Sequence, residues 1–115
     1  MAFFGFRVRN PGRDSETDKR RTDRLLRIVS DITDEISAER QGLQRRYHTA
    51  ATDAGFAVEA MNNATSGTDD RVEELSATIM SCERRIAQLT RQLEEIADIR
   101  SRIEAFGKGG EQAPR

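Results

Sequence analysis

The sequence predicts an all-α chain, a two-helix antiparallel coiled-coil hairpin completed by self-association or by a partner's helices. Three observations carry this reading. Apolar residues recur at steps of three and four through two long stretches, a single run of poor helix formers separates those stretches, and 34% of the residues are charged with no Trp, one Tyr and two Pro. Steps of three and four are the spacing of a seam between helices, and so charged a composition suits long solvated helices better than a thick globular core.

At 115 residues there is room for one domain. Residues 1–14 lack the later periodicity and are expected to form a flexible Phe/Arg-rich N-terminal tail, closed by a Pro11-Gly12 turn. Within it Phe3, Phe4 and Phe6 precede Arg7 and Arg9, and aromatics with basic flanks suit docking into a partner groove or an interfacial membrane contact.

The first helix is expected over 15–62, with Ser15 as its cap, Asp18 three residues on, and Glu16 near the positive end of the helix dipole. Its apolar or small residues fall at Leu25, Val29, Ile32, Ile36, Leu43, Tyr47, Ala50, Ala54, Ala57 and Met61, with Glu39 filling the missing step. Read this way the seam contains one extra four-residue step between Leu43 and Tyr47, a stutter that relaxes the supercoil. A carboxylate at Glu39 would then be a seam charge that fixes register at some expense of stability, shielded by Arg40 or Arg91.

The run Asn62 to Thr68 contains Asn, Ser, Thr and Gly, whose side chains compete with the helical backbone or tolerate positive φ, so a turn is expected over 63–68. The second helix is expected over 69–106, with Thr68 as cap and Asp69, Asp70, Glu73 and Glu74 in its first turns. Its seam runs through Val72, Leu75, Ile79, Cys82, Ile86, Leu89, Leu93 and Ile96, then after one shortened step through Ile99, Ile103 and Phe106. Gly107 stands where a C′ glycine belongs, and 107–115 is expected to be a flexible C-terminal tail. Pairing the two seams outward from the bend matches Met61 with Val72 and ends with Leu25 against Phe106.

Between Ala50 and Ala60 small residues crowd the first helix, and Phe56 and Val58 project off its seam as candidate partner-binding side chains. Residues 1–27 carry eight Lys or Arg against four acids. Lys19, Arg20, Arg21, Arg24 and Arg27 form a basic patch that could touch phosphate or an anionic membrane.

Chemistry is poorly represented. His48 has no metal-ligand partner at helical spacing, Cys82 is expected to be a buried seam residue, and no phosphate loop, nucleophile elbow or zinc spacing occurs. No catalytic residue, cofactor, metal or small-molecule substrate is therefore expected, and the chain reads as non-enzymatic. One thiol and no long apolar run favour a cytoplasmic setting. In outline, such a hairpin is similar to several all-helical adaptors, including the stalk proteins of flagellar and type III export ATPases, a likeness of architecture that no motif residue carries.

The expected function is a coiled-coil interaction or scaffold protein, a rigid helical spacer or adaptor within an assembly. Its partners would be a second copy or another protein's helices. The alternative is a peripheral membrane or nucleic-acid binding protein acting through the Phe-rich tail and the basic start of the first helix.

Overall fold

The computed structural model describes residues 10–61 and 68–108, in which the chain is an all-α helical hairpin of two long helices, α1 (Pro11–Met61) and α2 (Thr68–Lys108). The expected tails at 1–9 and 109–115 and the bend at 62–67 lie outside the described residues.

Helix α1 begins four residues earlier than the periodicity suggested, and its cap is Asn10 rather than Ser15. The Asn10 Oδ1 accepts from the backbone N–H of Gly12 at 2.9 Å and of Arg13 at 3.3 Å, while the Asp14 N–H donates to the Asn10 carbonyl at 3.0 Å. Pro11 is the first helical residue, where a missing N–H costs nothing and a fixed φ favours the helix. The Pro-Gly pair that looked like a turn is thus the first turn of α1.

Helix α2 runs from Thr68, with Asp69 and Asp70 in its first turn and Lys108 in its last, signs that both complement the helix dipole. It therefore continues two residues past Phe106, and Gly107 lies inside it.

Contacts divide the described chain into a terminal unit, residues 10–32 with 95–108, and a central unit, residues 33–94. In the central unit the inward positions on α1 are Thr33, Ile36, Arg40, Leu43, Tyr47, Ala50, Ala54 and Ala57, each buried or half-buried. They face a stripe of α2 whose most enclosed members are Leu75, Cys82 and Leu89, the last with no exposed surface. Ala50 is 4% exposed, and small residues there let the backbones approach. Cys82 is a free, buried thiol, as its seam position implied.

In the terminal unit the inward positions on α1 are Thr22, Leu26 and Val29, and on α2 Ile96, Ile103 and Gly107. Thr22 is buried, and its hydroxyl donates to the Asp18 carbonyl one turn back at 2.9 Å, so the polar atom is satisfied within its own helix. It faces Gly107 so closely that a Cβ there would lie 2.8 Å from Thr22 Oγ1 and 2.9 Å from Cγ2. Gly107 is a helix-contact glycine and not a terminator.

These positions correct the seam of α1. Thr22, Leu26, Val29, Thr33, Ile36, Arg40, Leu43, Tyr47, Ala50, Ala54 and Ala57 alternate steps of four and three without a break. The stutter vanishes. It came from following Leu25, Ile32 and Glu39, which stand one position off the seam, because an apolar-only reading passes over Thr22, Thr33 and Arg40.

Candidate docking surface

With the seam fixed, every other residue takes a heptad position. Counting seam residues as a and d, the residues flanking the seam on one side are g on both helices, and in an antiparallel pair g faces g. In the central unit most of these flank positions are charged. Glu39 on α1 accepts from Arg85 Nε at 2.8 Å and from its Nη2 at 3.2 Å, and Asp53, two heptads on, lies 3.9 Å from Arg71, two heptads back. The hydrogen bond from Arg85 and its nearby charge hold the Glu39 carboxyl below the ordinary carboxylate range, and the same bond raises Arg85 above its ordinary value. Glu39 is thus an exposed flank residue with Arg85 as partner, in place of the seam charge shielded by Arg40 or Arg91.

The true seam charge is Arg40. It is half-buried, its Nη1 donates to Thr90 Oγ1 at 3.3 Å, and its Nε is buried without a hydrogen-bond partner. Such a group weakens the pair locally while restricting which registers remain possible.

In the terminal unit the g flanks change character. They carry Leu25 and Ile32 on α1 and Ile99 and Phe106 on α2, and Ile28 lies beside Leu25 and Ile32 at the neighbouring c position. All five are between 40% and 58% exposed. The opposite flank of this unit carries no large apolar side chain, with Glu16, Asp23 and Ser30 on α1 and Ala97 and Glu104 on α2. One side of the terminal unit is therefore an apolar strip and the other is solvated. Leu25, Ile32, Ile99 and Phe106, expected in the buried seam, thus lie on its exposed flank, because the seam runs one position away through Leu26, Thr33 and Gly107.

The other sequence candidates are more scattered. Phe56 is 66% and Val58 48% exposed, but two residues apart on a helix they point to different sides and form no single patch. Of the basic cluster, Lys19 pairs with Asp23 at 3.3 Å, Arg21 with Asp18 at 3.8 Å, and Arg20 donates to Thr17 Oγ1 at 3.3 Å. Arg24 and Arg27 are exposed, so the patch is interleaved with its own counter-charges rather than a continuous basic face. Phe3, Phe4, Phe6, Arg7 and Arg9 lie outside the described residues. His48 is exposed and stacks edge-on to Tyr47, with ring centroids 6.4 Å apart.

Among the described residues no three His, Cys, Asp or Glu side chains gather to hold a metal ion, and no helix is long and apolar enough to cross a membrane. Comparison with protein families, with curated proteins and with solved structures yields no match.

Proposed function

We propose that this chain is a non-enzymatic coiled-coil interaction protein, a helical spacer or adaptor that docks through the apolar flank of its terminal unit. The observation that carries the reading is the exposure of Leu25, Ile28, Ile32, Ile99 and Phe106 on one side of that unit. Solvated helices present charged side chains at flank positions, as the ion pairs of the central unit do. Five large apolar side chains on one face favour occupation by another helical surface, the remedy for a two-helix core that is thin by itself. The occupant is a second copy or another protein's helices.

A peripheral membrane or nucleic-acid role draws less support, because the basic start of α1 is partly neutralised by Asp18 and Asp23. A cytoplasmic setting belongs to the same proposal and accords with a single buried thiol.

The test is the double variant Ile28→Lys, Phe106→Lys in the full chain, followed by circular dichroism, light scattering and pull-down from the host. The expected result is unchanged helix content with lost association. Association that survives both substitutions in a folded chain would exclude this flank as the docking surface.

A further inference from the structure

Resting on that docking reading, we infer that the occupant of the apolar flank is a second copy of this chain, seated so that α1 of one terminal unit packs antiparallel on α1 of the other with Ile28 at the two-fold axis.

Area and charge argue for self-pairing. From their fractional exposures the five side chains present roughly 500 Å² of apolar surface, the size of the largest patches on soluble monomers. Fully covered in both copies, these side chains alone would bury roughly 1,000 Å², the lower bound for a biological interface, and rim residues add to it.

The charges on α1 are self-complementary about Ile28. Leu25 lies three residues before it and Ile32 four after, so an antiparallel pairing sets Leu25 against the partner's Ile32. Arg24 lies four before and Asp31 three after, so the same pairing sets Arg24 beside the partner's Asp31, twice by symmetry. Among the described residues neither Arg24 nor Asp31 has an ion-pair partner within the chain, while the neighbouring Lys19, Arg21, Asp18 and Asp23 do. On α2 the same operation sets Ile99 near the partner's Phe106. Arg102 then approaches its own copy, with Asp98 one turn earlier to offset it.

The other two-fold arrangement, α1 on the partner's α2, is opposed by charge. The level at which Thr22 meets Gly107 would bring Asp31 toward the partner's Asp98.

Three measurements on the full chain test this. Sedimentation equilibrium over a concentration series is expected to give a monomer–dimer equilibrium, and a monomer at every concentration overturns the proposal. In a Cys82→Ala background, Ile28→Cys is expected to form a covalent dimer on oxidation while Arg27→Cys, on another face, does not. Equal cross-linking at both positions overturns the placement of the axis.

Arg24→Asp and Asp31→Arg are each expected to weaken dimerisation about tenfold, because each change converts two attractive pairs to repulsive ones. The doubly reversed chain is expected to recover, and failure to recover overturns the antiparallel register. A monomeric chain that still captures a host protein through Ile28 and Phe106 would sink self-pairing and leave the docking reading standing. A chain that neither self-associates nor captures a partner would sink both.

Discussion

Glu39 and Arg85, 46 positions apart in the chain, are joined by two hydrogen bonds of 2.8 and 3.2 Å from one guanidinium to one carboxylate. The pair spans the two helices at their flank, and with Asp53 and Arg71 it repeats two heptads along. It holds the arms of the central unit in one register without entering the core.

The pair has a pH signature. Glu39 is lowered in the folded chain by the hydrogen bond from Arg85, so its contribution to stability is present above the ordinary carboxylate value of 4.5 and is lost as pH falls through the lowered folded value. Arg85, raised further by Glu39, stays charged throughout. Carbon-detected NMR titration should place the Glu39 midpoint below 4.5, and Arg85→Gln should move it back up. High salt should shrink the difference, because the two side chains remain 41% and 47% exposed. For the same reason Glu39→Leu should not raise the melting temperature; a clear increase would show that the position is buried.

Arg40 behaves in the opposite way. Its Nε is buried without a hydrogen-bond partner at a seam position, so Arg40→Met replaces a poorly satisfied polar group with a flexible apolar side chain of similar length. Thermal unfolding should show a gain of about 1 kcal/mol. The freed Thr90 hydroxyl is half-buried and can turn to solvent or to its own helix. A fall in stability would mean that the Thr90 contact outweighs the desolvation of Arg40.

Gly107→Ala normally favours a helix interior by up to about 1 kcal/mol, but here the new Cβ meets both branches of Thr22 under 3.0 Å. A β-branched side chain cannot rotate both branches away. Chemical denaturation should therefore show a loss of about 1–3 kcal/mol for Gly107→Ala. Adding Thr22→Ala should recover much of that loss, since the nearest remaining atom, the Thr22 Cβ, would lie at 3.3 Å. Equal loss in the single and double variants would contradict the close approach.

Cys82 is 2% exposed at the seam. Thiol reagents should label the native chain only as fast as it opens, with the rate rising as denaturant is added. Rapid labelling in the absence of denaturant would place the thiol outside the core.

The sequence by itself determined the number of helices, their antiparallel pairing and most of the α2 seam. Those features rest on local propensity and on spacing that repeats over many turns: Leu75, Cys82 and Leu89 are as enclosed as their period required. The α1 stutter and the shortened step after Ile96 both fall where two adjacent apolar stripes run side by side.

Only the tertiary structure decided which stripe lies inside. Leu25, Ile32, Ile99 and Phe106 are more apolar than Thr22, Thr33 and Gly107, so hydrophobicity ranks them first for the core. The contact between helices ranks differently, because backbone approach is set by small side chains. At Thr22 and Gly107 the helices come together too closely for a Cβ, and the larger residues one position away are turned to the surface. The apolar flank is a consequence of that close approach, which no single-helix pattern records.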